Sequence, residues 1–179
     1  MQDTTASNPG LIVVTGQPGS GKTTLALPLS LALRCPRISR DEIKEGLIRT
    51  TGQPGASGDD IAWRVYETFF DTVELLLDRH VTLIAEAAFQ HTLWAPKLER
   101  LREIALVRIV VCLVDPELAR SRRVQRSLND PDRLQFHPDP MASVHEYDPP
   151  HLDVPTLTVD CSSAYVPSFE EIIAFTKNG

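Results

Sequence analysis

Leu11-Ile-Val-Val-Thr15 runs straight into Gly16-Gln-Pro-Gly-Ser-Gly21-Lys22-Thr23, and Thr24-Leu-Ala-Leu-Pro-Leu-Ser-Leu-Ala-Leu33 follows. The first piece is short, continuous, apolar and β-branched, the signature of a strand buried on both faces. The second fits G-x-x-x-x-G-K-[ST] at every fixed position. The third continues as a helical stretch, residues 22–33, with Pro28 inside it, where a kink is expected. Strand, glycine-rich turn and helix is the context that gives this pattern its meaning. Gly16, Gly19 and Gly21 let the backbone turn tightly and aim successive N–H groups inward. The helix adds the positive end of its dipole. Lys22 is a flexible point charge, and Thr23 offers a hydroxyl to a divalent cation. Residues Gly16, Gln17, Pro18, Gly19, Ser20, Gly21, Lys22, Thr23 and Thr24 are therefore expected to cradle a polyphosphate.

Working outward, the same apolar texture recurs at 81–85 and 107–114, with shorter candidate strands at 37–39 and 156–159. Helical patterns lie between them. Residues 60–79 set Ile61, Val65, Phe69, Val73 and Leu76 or Leu77 on one face, with Asp59 or Asp60 as N-cap. Pro116 behind Asp115 opens a helix over 116–127. Ser168 and Glu171 have capping-box spacing ahead of 168–176. Strands alternating with helices predict a three-layer α/β domain, a parallel sheet with helices on both faces. Thr50–Ser57 reads as a loop. Six prolines within 131–155 argue for an irregular excursion. Residues 1–10 read as a flexible leader and 11–179 as one domain, in keeping with a chain of 179 residues.

Lys and Arg total 18 against 24 Asp and Glu, a net charge of −6. Residues 1–133 carry 17 basic and 17 acidic side chains, while 134–179 carry 1 and 7. The body is thus neutral and the tail acidic. Nucleic acid and anionic membrane are disfavoured as partners, and no apolar run approaches the ~20 residues that span a bilayer. Cys35, Cys112 and Cys161 form no paired motif and read as buried free thiols of a reducing cytoplasm. His137, His145 and His151 lack metal-like spacing. Trp63, Tyr66, Phe69 and Phe70 read mostly as core.

Two acids end apolar runs and are candidates for the cation side of the loop: Glu86 after Leu83-Ile-Ala85, and Asp115 after Val110–Val114. N-capping also explains Asp115. Asp41 precedes a helix over 41–49, which it would cap, with Arg40 and Lys44 on either side. Arg120, Arg122, Arg123, Arg126 and Arg133 crowd into 14 positions. Arg122 and Arg126 share a helix face at i and i+4. The strings D-x-x-G and N-K-x-D of Ras-like GTPases do not occur.

With GQPGSGKTTLA (16–26), ISRDEIKEGL (38–47), LIAEAAF (83–89), DPELARSRRVQR (115–126) and the closing TVDCSS…PSFEEII on the page, the chain resembles the small P-loop kinases related to polynucleotide kinase, zeta-toxin kinase and chloramphenicol phosphotransferase, the AAA-domain-type kinases. The resemblance covers about 11–175. It implies a five-stranded parallel sheet of order 2-3-1-4-5, an acceptor-side wall from the helices 41–49 and 59–80, and a lid near 127–150. It implies ATP and Mg²⁺ as cofactors and a small-molecule or nucleotide-like hydroxyl as phosphate acceptor. Asp41 falls where the family keeps its general base, with Arg40 and Lys44 as acceptor contacts; Lys44 stands where polynucleotide kinases carry an Arg. Thr23 and Glu86 fall on the metal side, because the third strand of that fold borders the loop strand. Lys22, Arg122 and Arg126 fall where charge on the transferring phosphoryl group is neutralised, with Arg123 and Arg133 as second choices. The loop 160–166 would border adenine. A nucleotide-dependent switch without catalysis, a polynucleotide 5′-hydroxyl kinase and a toxin-type nucleotide-sugar kinase are the alternatives.

Overall fold

The computed structural model describes residues 8–52, 59–130, 136 and 147–177. Most of the leader, the tip of the 50–57 loop and most of the expected lid, including Arg133, His137 and His145, lie outside the described residues.

Five strands form one parallel sheet: β1 (Gly10–Gly16), β2 (Arg37–Ser39), β3 (Leu83–Glu86), β4 (Leu106–Leu113) and β5 (Thr156–Asp160). Their order is β2-β3-β1-β4-β5, as expected. Six helices connect and close them: α1 (Lys22–Leu33), α2 (Arg40–Thr51), α3 (Asp59–Asp78), α4 (His91–Leu101), α5 (Pro116–Asn129) and α6 (Phe169–Lys177).

Successive strand residues point to opposite faces, and the core divides accordingly. Leu11, Val13, Leu83, Ala85, Ile109 and Val111 face one way and pack on Phe69, Phe70 and Val73 of α3 and Trp94 and Leu98 of α4. Ile12, Val14, Ile84, Val110, Cys112 and Val159 face the other way and pack on Leu25, Ala26 and Leu29 of α1 and Ile172 of α6. This double burial explains why the central strands β1, β3 and β4 read as largely apolar runs. The α6 capping box is made: Glu171 N–H donates to Ser168 Oγ (3.3 Å), and Ser168 N–H donates to Glu171 Oε2 (2.8 Å).

One element differs from the sequence reading. Helix α4 was not expected, because Pro96 interrupts its interior pattern. Trp94, Leu98 and Leu101 nevertheless line up on its buried face. Trp94 closes an aromatic cluster with Phe89 at 4.5 Å between ring centroids, Tyr66 at 5.1 Å and Phe70 at 5.3 Å. Trp63 is not core. It is 57% exposed and stacks on Tyr66.

The register sets up the site. Val14 of β1, Glu86 of β3 and Ser39 of β2 lie in one row across three adjacent strands. The loop after β1, the acid ending β3 and the start of α2 therefore meet at one edge of the sheet.

Candidate active site

The loop Gly16–Gly21 passes from β1 into α1 as expected. Gly21 is the N-cap of α1, at φ 93°, and no side chain caps that helix. The first helical bond runs from Leu25 N–H to Gly21 O (3.0 Å). The amides of Lys22, Thr23 and Thr24 precede it and have no partner within the helix. Gly19, at φ 89°, lies against the Ala119 backbone of α5, where any Cβ would collide with the carbonyl. Lys22 is only 8% exposed although it sits at the positive end of α1, a placement that an anion would relieve. Ser20 Oγ is buried with no hydrogen-bond partner among the described residues. Gln17 Nε2 donates to Val114 O (3.0 Å), tying the loop to the end of β4. An uncapped helix start, an orphaned hydroxyl and a buried cation fit a polyphosphate.

On the β3 side, Thr23 Oγ1 donates to Glu86 Oε1 at 2.6 Å. Glu86 is 1% exposed, and its second oxygen accepts from Arg37 Nη1 at 2.7 Å. Asp115 is engaged differently. Its carboxylate caps α5, accepting from Glu117 N–H (2.9 Å) and Leu118 N–H (3.3 Å). Between the two acid candidates, only Glu86 touches the loop hydroxyl. Thr23 and Glu86 present hard oxygen donors side by side, a set suited to Mg²⁺.

Asp41 lies in the first turn of α2, not at its cap. Ser39 holds the N-cap position. Capping therefore does not explain Asp41, whose side chain is 40% exposed beside Arg40 (3.9 Å). Arg40 and Lys44, at i and i+4, share its neighbourhood. Burial lowers the Arg40 pKa from its ordinary value, with Asp41 acting against that. Burial and then the Arg40 charge lower the Lys44 pKa, opposed by Asp41 and Glu45.

On the far side of the loop is a cavity of about 520 Å³, bordered by Gly21, Thr24, Arg122, Arg126, Cys161 and Tyr165. It brings the two predicted arginines of α5 to the loop and the segment after β5. Arg122 Nη2 donates to Cys161 O (2.9 Å) and Ser162 O (2.7 Å). Its guanidinium is thus anchored as part of the cavity wall. Cys112 and Cys161 are free and buried here, while Cys35 is partly exposed. A hydrogen bond with Cys161, together with burial, raises the Cys112 thiol pKa.

Three contacts at the site escaped the sequence reading. Arg37 reaches Glu86 across 49 positions, and its other nitrogen pairs with Glu42. Tyr147 OH meets Thr15 Oγ1 at 2.5 Å across 132 positions. The segment following Tyr147 is strapped to the start of α4: His91 N–H donates to Asp148 O (3.0 Å), Asp148 N–H to Gln90 Oε1 (3.1 Å), and His151 N–H to His91 Nδ1 (2.9 Å). His151 thus has a structural setting, packed on the His91 ring and paired with Asp148. None of these residues carries a local pattern; only the fold brings them together.

The family model described as AAA domain, AAA_33, matches residues 11–144. The chain belongs to the AAA_33 family. No curated protein sequence matches it. Solved structures share the fold of this AAA_33 chain. A protein of Chloroflexus aurantiacus j-10-fl, provisionally named a kinase, superposes with a TM-score of 0.78 at 23% identity, over 94% of this chain and 97% of that one. A gluconokinase from Sinorhizobium meliloti 1021 gives 0.58 at 20% identity, over 94% and 92%. The APS kinase CysC of Mycobacterium tuberculosis, solved with AMPPNP and APS, gives 0.66 at 15% identity, over 96% and 99%. The AAA_33 chain therefore has the fold of small P-loop kinases. No helix among the described residues is long and apolar enough to cross a membrane.

Proposed function

We propose that the protein is an ATP- and Mg²⁺-dependent phosphotransferase acting on a hydroxyl of a small anionic molecule. The observation that carries this reading is the row Val14–Glu86–Ser39. It sets the Thr23–Glu86 pair between the phosphate loop and the turn bearing Asp41. The loop amides and Lys22 hold the β- and γ-phosphates, and the cavity beside Arg122 and Tyr165 receives the nucleobase. Thr23 and Glu86 would hold Mg²⁺, which offsets phosphate charge when bound. Asp41 accepts the acceptor's hydroxyl proton as the new O–P bond forms. The bond between the γ-phosphorus and the β–γ bridging oxygen breaks, and ADP leaves with that electron pair. Arg122 and Arg126 line that same cavity, and on this reading they would reach from its wall to offset charge on the transferring oxygens.

The acceptor class follows from Arg40 and Lys44. Two like charges at i and i+4 repel, and both sit in the first turns of α2, where the dipole also opposes cations. Both lose hydration through burial, and Arg40 Nε is buried with no hydrogen-bond partner among the described residues. An oxyanion on the acceptor relieves all three costs at once. Two of the solved structures that share the fold are named as a gluconokinase and an APS kinase, which supports this reading.

The test is ADP release with ATP and a panel of sugar acids, sulfated and phosphorylated alcohols, and their neutral counterparts. Anionic members should stimulate release and neutral ones should not. Lys44→Gln should raise the acceptor KM at least about tenfold, the lower end of what one charged hydrogen bond of about 1.5–3 kcal/mol supplies. ATP binding with no stimulation by any hydroxyl compound would point instead to a nucleotide-dependent switch. Stimulation by oligonucleotide 5′ ends alone would point to a polynucleotide kinase.

A further inference from the structure

Arg37 does something the nucleotide site alone does not require. It opens β2, its side chain is 12% exposed, and its guanidinium serves two carboxylates on different elements. Nη1 donates to Glu86 Oε2 at 2.7 Å, and Nη2 pairs with Glu42. Burial works against the Arg37 charge, but its bonds to Glu42 and Glu86 outweigh that and leave its pKa above the ordinary value. The two carboxylates have distinct positions. Glu86 is buried and touches Thr23 of the phosphate loop through its other oxygen. Glu42 is 61% exposed and lies in the first turn of α2, next to Asp41. No side chain caps α2, since Ser39 makes no capping bond. The Arg37–Glu42 pair is therefore a direct tie between this first turn and the floor of the site.

We propose that Arg37 is a positioning residue that couples the metal-side carboxylate to the base-bearing turn of α2. This rests on the assignment of Glu86 and Asp41 given above. The fork takes Oε2 of Glu86 and leaves Oε1 to Thr23, so Oε1 is the oxygen that would be offered to a bound cation. The other prong holds Glu42, and with it the backbone that presents Asp41. A shift of Glu86 would be passed to α2 through one rigid, planar group. Lysine cannot replace it, because one ammonium on a flexible stem does not hold two carboxylates in fixed directions.

The experiment compares wild type, Arg37→Met, Arg37→Lys, Glu42→Gln and Glu86→Gln, using AMPPNP with Mg²⁺ or with EDTA. Nucleotide affinity is read by calorimetry and backbone protection of residues 40–44 by hydrogen exchange. In wild type, Mg²⁺ should both tighten nucleotide binding and slow exchange in 40–44. Arg37→Met and Arg37→Lys should lose the slowing, and the Mg²⁺-dependent part of the affinity should fall about 10-fold or more, the usual scale for losing a partner of a metal-binding group. Glu42→Gln, an exposed change that keeps the fold intact even if the Arg37 variants do not fold, should lose the slowing while Mg²⁺ still tightens nucleotide binding. If exchange in 40–44 slows with Mg²⁺ in Glu42→Gln as it does in wild type, the coupling is overturned. Folded Arg37→Met with undiminished Mg²⁺ dependence overturns it equally. Glu86→Gln with undiminished Mg²⁺ dependence would instead refute the metal assignment on which the proposal rests.

Discussion

Thr15, fully buried one position before the loop, carries more of the site than its place in an apolar run suggests. Its hydroxyl accepts from Phe89 N–H at 3.0 Å and meets Tyr147 OH at 2.5 Å. It thus joins β1, the segment after β3 and the segment that begins at Tyr147. Burial raises the Tyr147 phenol pKa, although the Thr15 bond pulls the other way. Thr15→Val keeps the shape but leaves the buried Phe89 amide without a partner. The expected cost is about 1–3 kcal/mol, which a chemical denaturation curve would register as a lower midpoint with an unchanged slope. The residue scale also shows what sequence can reveal. Gly19, Gly21, Lys22 and Thr23 were readable because one contiguous turn defines their geometry. Thr15, Arg37 and Tyr147 were not, because their partners lie 49 to 132 positions away. A long-range hydrogen bond leaves no periodicity behind.

Among the elements, the strands and most helices were legible because burial dictates their texture. Double burial makes β1, β3 and β4 largely apolar, with Thr15, Glu86 and Arg108 as exceptions, and one-sided burial spaces Val65, Phe69 and Val73 along α3. Helix α4 was missed because Pro96 weakens the local preference that tertiary packing then overrides. Its anchor is Trp94, 3% exposed and in ring contact with Tyr66, Phe69, Phe70 and Phe89. Trp94→Ala should destabilise the protein by about 3–5 kcal/mol. A thermal melt would show this as a fall of roughly 2–4 °C per kcal/mol for a domain of this size. A loss under 1 kcal/mol would mean that the helix contributes little to the core. Helix α5 carries a different lesson. Its opening and its arginine face were both readable, but the anchoring of Arg122 on the carbonyls after β5 was not, since those carbonyls are backbone groups.

At the scale of the whole molecule, the strand order makes the site. Placing β1 between β3 and β4 and β3 between β1 and β2 brings the phosphate loop, Glu86 and the α2 turn to one edge. That order was foreseen from the resemblance to P-loop kinases, not from the pattern of the chain, since strand texture does not encode neighbours. The net charge of −6 also changes meaning. Cations concentrate at the site, with Lys22 in the loop, Arg40 and Lys44 on α2, and Arg122 and Arg126 at the cavity. On the proposed function, these cations are the groups that would meet a nucleotide and a small anionic acceptor.

In the proposed reaction Asp41 takes the acceptor's proton while the loop holds ATP, and Asp41→Asn separates these two roles. Acceptor-dependent ADP release by Asp41→Asn is compared with wild type, with ATP affinity measured on the same samples. Release should fall at least about 100-fold, the lower end of what a general base contributes, while ATP affinity stays as in wild type. Lys22→Ala should lose both. Full turnover by Asp41→Asn with the same acceptor would rule out Asp41 as the base.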